Sequence, residues 1–266
     1  MKTIGFIGCG NMGGALLRAT LKALSPDCIF VADSDENKTA AFKKEYGVTV
    51  TTAEGIAKSC DAIVLGVKPQ VLFALLSSLS PALEQREEKP LLISMAAGIS
   101  LKSIKEAVGS LPLIRIMPNT PASVGEGMIL WAEDGASEEH TAFFTTAFSL
   151  AGKLDKLDEK FIDAASALSG CGPAFVCLFA EALADGAVAC GLPRQNANLY
   201  AAQTLLGTAK LILESGEHPG KLKDAVCSPG GTTIEGVRAL EEGALRGTVM
   251  DAVVAAYEKT LALGKK

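Results

Sequence analysis

The sequence predicts an α/β protein in which an N-terminal, mostly parallel sheet is followed by an all-helical C-terminal domain. Up to about residue 159, short runs rich in β-branched residues alternate with amphipathic helical stretches. After that point the strand pattern stops, and the chain becomes rich in Ala and Leu with a helical period. These observations divide the chain into predicted domains at residues 1–159 and 160–266.

Composition excludes several classes of function. The 266 residues carry a formal net charge of −5, which disfavours nucleic acid or an anionic membrane surface as a partner. The apolar run over residues 174–191 contains Glu181 and Asp185 and is shorter than a typical membrane span. No secretion signal is evident at the N-terminus, so we expect a soluble, cytoplasmic protein.

The inventory of metal-binding residues is small. Seven cysteines are present without a Cys-x-x-Cys pair, and there are two histidines, neither of which has a His or Cys at ligand spacing. We therefore expect free thiols in a reducing compartment and no metal site.

Strands and helices alternate along the N-terminal half. The predicted strands cover residues 3–7, 28–32, 48–50, 62–67, 91–95 and 113–117, with two weaker edge candidates at 128–132 and 153–157. The intervening helices are predicted over residues 12–24, 36–46, 71–79 and 101–108. Nearly continuous apolar strands indicate a sheet that helices cover on both faces.

The C-terminal half reads as a set of helices that need a partner. Gly172-Pro173 opens one helix, a second runs over about residues 195–214, and shorter ones flank a Ser228-Pro229-Gly230-Gly231 segment. A helix as apolar as the one after Pro173 must be buried on most sides. The sequence therefore predicts an obligate homodimer.

A glycine-rich turn follows the first strand and opens the first helix. Gly8 permits a tight turn, Gly10 lets the backbone approach a pyrophosphate, and Gly13 allows the helix to pack on the strand. In this strand–turn–helix context the pattern indicates a Rossmann-like dinucleotide site, the alternative being a turn with packing duties only. The candidate cofactor-binding residues are Gly8, Cys9, Gly10, Asn11, Met12 and Gly13.

Asp33 ends the second strand at the position where an acid binds the ribose 2′-hydroxyl and repels a 2′-phosphate. This position favours NADH over NADPH. Ser34 and Lys38, which could hold a phosphate, point the other way, and Asp33 could instead cap the following helix. Further along, Lys68 and Pro69 follow the fourth strand, and small residues follow the fifth, at the edge where ligands of such sheets bind.

Six motifs, taken together and in this order, resemble those of the pyrroline-5-carboxylate reductase family. They are GFIGCGNM (5–12), GVKPQ (66–70), ISMAAGI (93–99), RIMPNTP (115–121), LSGCGPAF (168–175) and DAVCSPGGTTI (224–234). The resemblance implies a Rossmann domain, a helical dimerisation domain and assembly as a dimer, with a decamer as a further possibility. It implies reduction of the imine 1-pyrroline-5-carboxylate to L-proline by NADPH or NADH.

The resemblance also assigns roles to individual residues. It places the adenosine ribose near Ser34, and the nicotinamide half near Lys68, Pro69, Ala96 and Ala97. It places the substrate carboxylate on the backbone N–H groups of Gly231, Thr232 and Thr233, with the Thr233 hydroxyl bonded to the ring nitrogen. This sequence departs from some family members, which have Asn at the positions of Glu54 and Ala225; the acidic Glu54 again favours NADH.

The side-chain inventory suits reduction of an imine. A protonated imine carries its charge on nitrogen already, so the site needs positioning and a hydrogen bond more than a strong acid. Thr233 suffices for that role, unless it merely caps its own helix.

Other classes of function fit less well. A hydroxy-acid dehydrogenase would need Lys and Asn where Val176 and Phe179 stand, and no Tyr has the Lys four residues later that a short-chain dehydrogenase needs. A non-catalytic nucleotide sensor remains a further alternative.

Overall fold

The computed structural model describes residues 2–263 and contains one eight-stranded sheet. The strands are β1 Ile4–Ile7, β2 Ile29–Ala32, β3 Thr49–Val50, β4 Ala62–Leu65, β5 Leu91–Ser94, β6 Leu113–Met117, β7 Gly127–Asp134 and β8 Gly152–Lys156. Their order in the sheet is β3-β2-β1-β4-β5-β6-β7-β8, and only the β6–β7 pair is antiparallel. All six predicted strands and both edge candidates are confirmed, as is the mostly parallel sheet.

Helices connect the strands and form the C-terminal part. They are α1 Asn11–Ala23, α2 Glu36–Tyr46, α3 Ala53–Ser59, α4 Pro69–Glu84, α5 Leu101–Val108, α6 Glu138–Phe148, α7 Ile162–Ser169, α8 Gly172–Ala189, α9 Arg194–Ser215, α10 Pro219–Val226, α11 Thr232–Glu242 and α12 Leu245–Leu263. The sequence pattern does not predict α3 or α7, and the helix predicted over residues 71–79 is shorter than α4. Helix α4 continues through Pro81 because Ala82 and Leu83 are buried beyond it, and this packing outweighs the lost backbone hydrogen bond.

The hydrophobic core around the sheet forms two layers, one on each face of the sheet. Phe6 points to the layer that contains Phe144 and Phe148 of α6, whereas Ile7 belongs to the layer that α3 and α4 cover. Strands β1, β4 and β5 are buried at every position, as expected for parallel strands between two helical layers. Successive side chains along each strand point to opposite faces, so each strand contributes residues to both layers.

The sheet register aligns the carboxyl ends of the central strands. Ile7 at the end of β1 pairs with Ala32 on one side and with Leu65 on the other, and Leu65 pairs with Ser94. The loops that follow β1, β2, β4 and β5 therefore emerge at one edge of the sheet. The strand order reverses between β1 and β4, which is where open α/β sheets bind ligands.

The chain forms two compact units. Among the described residues, the first contains 2–171 together with 256–263, and the second is Gly172–Ala255. This division follows compactness, and the domain boundary predicted at residue 159 stays a prediction. Helix α7 groups with the sheet unit because Ile162 at its start is buried in the core beneath α4 and α5.

The helical unit buries little of its own apolar surface. Helices α8 and α9 pack through Ala184, Ala197 and Ala201, whose small side chains allow a close approach. Large apolar side chains of the same unit are exposed; they include Val176, Leu178, Leu199, Leu206, Leu211, Leu213, Met250 and Val254. So many exposed large apolar side chains indicate a surface that a partner covers.

The stretch Glu159–Ala189 has the length and mean hydropathy, 1.6, of a helix that could cross a membrane. The sequence pattern does not predict this result, because the apolar run over residues 174–191 is interrupted by two acidic residues and is shorter than a typical membrane span. Only 11% of its most apolar window is buried within the chain. The same composition is typical of a soluble helix that a second subunit covers, so the property alone does not place the chain in a membrane.

Candidate functional site

The glycine turn after β1 is shaped by two close backbone approaches. Gly8 has a φ of +98°, and a Cβ on it would lie 2.5 Å from the carbonyl oxygen of Gly66. A Cβ on Gly13 would lie 2.2 Å from the carbonyl oxygen of Gly8. Both positions therefore require glycine for the fold itself, since any side chain would push strands and helix apart.

Gly10 differs, because no contact with other protein atoms requires a glycine at this position. A Cβ built there would meet nothing within 4 Å, and its φ of −67° suits any residue. Gly10 is also the N-cap of α1, where no side chain accepts a hydrogen bond from the first turn. The Gly14 N–H makes the first bond of the helix, to the Gly10 carbonyl, so the N–H groups of residues 11–13 precede it. Open space beside unpaired donors fits a pyrophosphate.

Cys9 contributes its backbone only. Its side chain is buried, and burial, followed by the nearby charge of Asp33, raises the pKa of the thiol to about 12. The thiol is therefore protonated and unreactive near neutral pH. The seven cysteines are all free, and within residues 2–263 no three His, Cys, Asp or Glu side chains form a cluster that could hold a metal ion.

The carboxylate of Asp33 is held by backbone donors from two turns. One oxygen accepts the Cys9 N–H at 2.6 Å, and the other accepts the Asp35 N–H at 2.9 Å, with the Lys38 ammonium 3.7 Å away. Burial alone would raise the pKa of Asp33, but the hydrogen bonds from Asp35 and Cys9 and the charge of Lys38 together hold it below its usual value. The group is an anion.

The helix-cap alternative for Asp33 is wrong. Helix α2 is capped by Asp35, whose side chain accepts the Asn37 N–H. Asp33 lies two residues before this N-cap, and its carboxylate accepts a hydrogen bond from the glycine turn instead. Ser34 lies between the two acids and is exposed.

Glu54 lies in the first turn of α3, on an exposed surface. Its carboxylate pairs with Lys58 at 2.6 Å, and the hydrogen bond and charge of Lys58 lower the pKa of Glu54. Because an ammonium group accompanies it, Glu54 contributes less net negative charge than the sequence alone indicates.

The residues predicted to contact the nicotinamide follow β4 and β5 at the same edge of the sheet. Lys68 is exposed and precedes α4, whose first residue is Pro69. Ala96 is buried, and its N–H donates to the Ser94 hydroxyl at 3.3 Å, whereas Ala97 is exposed. The structure thus gathers the predicted residues of the sheet unit at the loops after β1, β2, β4 and β5.

Two buried polar side chains near this edge have no role in the sequence analysis. Arg115 of β6 is 3% exposed and bonds Glu159 at 3.1 Å and Asp163 at 2.6 Å. The Asn119 side chain donates to the Ser169 carbonyl and accepts the Met128 N–H. Arg115 could have been found from the sequence, because a charged residue inside an apolar strand needs buried partners.

A second turn with unpaired donors lies in the helical unit. In Ser228-Pro229-Gly230-Gly231, Gly230 has a φ of +67°, and the Gly231 N–H donates to the Ser228 carbonyl at 3.0 Å. Pro followed by a left-handed Gly is typical of a type II turn. The Gly231 N–H, predicted to bind substrate, therefore closes this turn instead.

Helix α11 begins directly after this turn with Thr232 and Thr233. Gly231 is its N-cap, and no side chain caps the helix in the described part of the chain. The alternative in which the Thr233 hydroxyl caps its own helix is therefore wrong. The N–H groups of the first turn precede the first helical hydrogen bond, and such groups are suited to bind an anion.

The chain is similar to known proteins over nearly its whole length. Residues 159–263 match the family model "Pyrroline-5-carboxylate reductase dimerisation", and residues 3–98 match "NADP oxidoreductase coenzyme F420-dependent". The chain is 44% identical to pyrroline-5-carboxylate reductase of Pisum sativum over 97% of this chain and 94% of that protein. It is 41% identical to the reductase of Escherichia coli (strain K12), over 99% of each.

Solved structures give the same result. The structure of Plasmodium falciparum pyrroline carboxylate reductase with NADP bound matches with a TM-score of 0.88 and 34% identity, over 99% of this chain and 98% of that one. A ketol-acid reductoisomerase from an uncultured archaean, 16% identical with a TM-score of 0.67, shares the fold. The α/β sheet unit with a helical partner unit is thus confirmed.

Proposed function

The chain belongs to the pyrroline-5-carboxylate reductase family, and on that premise we propose how its residues carry the reaction. It is an NAD(P)H-dependent oxidoreductase that reduces 1-pyrroline-5-carboxylate to L-proline. The observation that carries this function is the identity of 41–44% to curated reductases over nearly the full length of the chain.

For the cofactor, we propose that the pyrophosphate lies on the N–H groups of residues 11–13, in the space beside Gly10. The open position of Gly10 supports this, because nothing in the protein requires a glycine there. The ribose would lie near Ser34, and the nicotinamide near Lys68-Pro69 and Ala96-Ala97. When bound, the reduced nicotinamide supplies the hydride.

For the substrate, we propose that the N–H groups of Thr232 and Thr233 bind the carboxylate, while the Thr233 hydroxyl bonds the ring nitrogen. The uncapped start of α11 supports the first part, since a helix N-terminus with unpaired donors attracts an anion. The hydroxyl accepts a hydrogen bond from the protonated imine and can donate one to the amine, and together with the carboxylate contacts it fixes the orientation of the ring.

We further propose a preference for NADH over NADPH. The anionic Asp33 beside the predicted ribose position supports it, because its charge repels a 2′-phosphate. Glu54 adds little to this repulsion because of its pairing with Lys58. A kcat/KM ratio that strongly favours NADPH would contradict this proposal.

The chain carries a dimerisation domain over residues 159–263 and forms a homo-oligomer. We propose that the exposed apolar side chains of α8 and α9 meet those of a second copy, and that dimers assemble into a decamer in the cytoplasm. Light scattering after size exclusion distinguishes two chains from ten. A stable monomer would contradict the proposal.

The test of the proposed site is Thr233→Ala, compared with Thr233→Ser. Loss of one hydrogen bond made in the transition state lowers kcat/KM for pyrroline-5-carboxylate by about 10- to 100-fold, whereas Ser keeps the hydroxyl and most of the activity. Oxidation of NADH followed by absorbance measures both. Unchanged kinetics in Thr233→Ala would remove Thr233 from the mechanism, and cofactor binding without any turnover by the unaltered chain would indicate a sensor.

A further inference from the structure

Asp33 joins the two turns that border the proposed cofactor site. Its two carboxylate oxygens accept N–H groups 2.6 and 2.9 Å away, one from Cys9 in the glycine turn and one from Asp35 in the turn after β2. Cys9 and Asp33 are 24 residues apart, so this contact holds together segments that local structure alone would leave independent.

The geometry leaves little of this carboxylate for a ligand. The side chain of Asp33 is 8% exposed, compared with 45% for Asp35 in the same turn. A carboxylate that binds a ribose hydroxyl must present an oxygen to the site, whereas both oxygens here are directed at backbone donors. Lys38 lies 3.7 Å from one of those oxygens and covers it further.

The bond to Cys9 acts where the cofactor needs a fixed backbone. Cys9 lies between Gly8, with its left-handed φ, and Gly10, whose N-cap position starts α1. Glycine on both sides leaves this peptide free to adopt other conformations. A hydrogen bond from Cys9 to an ionised carboxylate is about twice as strong as one between neutral groups, so it selects one conformation.

We propose that Asp33 is a positioning residue, which fixes the glycine turn in the conformation that binds the pyrophosphate instead of binding the ribose itself. The proposal rests on the cofactor site proposed above. The negative charge of Asp33 still repels a 2′-phosphate, but Asp33 contributes to NADH affinity through its hydrogen bond with Cys9.

Two changes, made separately and together, test the proposal. One is Asp33→Asn, whose amide nitrogen cannot accept an N–H; the other replaces NADH by its analogue with a 2′-deoxy adenosine ribose. Dissociation constants of both cofactors are measured by nicotinamide fluorescence on the unaltered chain and on the variant. We expect Asp33→Asn to weaken binding of each cofactor by the same factor, about 10- to 100-fold, because the effects of separate interactions add. The contrary result is that Asp33→Asn weakens binding of NADH but not of its 2′-deoxy analogue, so that the variant binds the two equally. In that case Asp33 binds the 2′-hydroxyl, and the proposal is wrong.

A control separates this effect from general loosening of the β2–α2 turn. Asp35→Ala removes the cap of α2 but keeps the backbone N–H that Asp33 binds. We expect it to lower Tm while changing the dissociation constant of NADH less than threefold. An equal loss of affinity in Asp35→Ala would overturn the proposal.

A measurement on the unaltered chain covers the case in which Asp33→Asn fails to fold. The Cys9 amide should exchange its hydrogen slowly in the absence of cofactor, because the carboxylate already holds it. Fast exchange would overturn the proposal. Turnover of pyrroline-5-carboxylate by the same preparation tests the proposed function independently, so failure of one is distinguishable from failure of the other.

Discussion

Substitution of Gly10 by Ala should separate cofactor binding from folding. The added Cβ meets no protein atom within 4 Å, and the φ of −67° is ordinary for alanine. Reduced freedom of the unfolded chain stabilises the variant by about 0.4–1 kcal/mol, and the poorer N-cap costs a similar amount. Since these terms offset each other, we expect Tm to change by less than about 3 °C.

The same methyl group should greatly weaken the cofactor. It occupies the space proposed for the pyrophosphate and keeps the phosphate oxygens from the N–H groups of residues 11–13. Loss of two charge-assisted hydrogen bonds, at about 1.5–3 kcal/mol each, predicts a dissociation constant for NADH at least about 100-fold higher. Calorimetry measures this value, and the increase in Tm that saturating NADH gives to the unaltered chain should largely disappear.

Gly13→Ala is the matched control with the opposite expectation for folding. Its Cβ would lie 2.2 Å from the Gly8 carbonyl oxygen, so backbone must move. Overpacking of this kind costs about 1–3 kcal/mol, which corresponds to a fall in Tm of roughly 2–12 °C. If Gly10→Ala binds NADH as tightly as the unaltered chain, or loses as much stability as Gly13→Ala, the reasoning about the glycine turn is refuted.

Three further results follow from the ion pairs and carboxylates. Arg115→Ala should lower the free energy of unfolding by about 2–4 kcal/mol in urea titrations, because it leaves its two carboxylate partners without their cation; a change below about 1 kcal/mol would contradict this. The pKa of Asp33 is lower in the folded protein than its ordinary value of 3.8, so its contribution to stability is complete above that value and lost as pH falls through the lower, folded pKa. Asp33→Asn should therefore reduce the loss of stability in acid unfolding experiments below pH 3.8, and an unchanged acid limb would count against the hydrogen bonds of Asp33. Glu54→Gln should change the NADH-to-NADPH ratio of kcat/KM less than about threefold, because Lys58 already pairs with Glu54, and a larger shift would show that Glu54 acts on the cofactor.

The amino-acid sequence determines most of the fold of this protein. Apolar, β-branched runs between amphipathic stretches predict the central strands, because a parallel sheet buried on both faces requires such runs. The more exposed strands β3 and β8 are also predicted, although burial does not account for them. Helices are predicted less completely. Helix α4 extends past Pro81 because the residues after this proline are buried against the core. A prediction from neighbouring residues alone includes the helix-breaking tendency of proline but not this burial.

The sequence also indicates candidate sites: the spacing of the glycines predicts a cofactor turn, and the family resemblance assigns Thr232 and Thr233 to the substrate. The sequence does not distinguish the three glycines of this turn from one another. Only the tertiary contacts show that Gly8 and Gly13 lie against backbone atoms, whereas the space beside Gly10 is open. Periodicity and spacing describe neighbours along the chain, and they contain no information on which groups meet after folding.

Hydrogen-bond partners are what the tertiary structure alone decides. The sequence places Asp33 at the end of β2, but the approach of the glycine turn gives it the Cys9 N–H as a partner. Likewise, the turn after Ser228 gives the Gly231 N–H the Ser228 carbonyl as its partner. A buried polar group must find a partner, and which one it finds depends on the packing of segments distant in sequence.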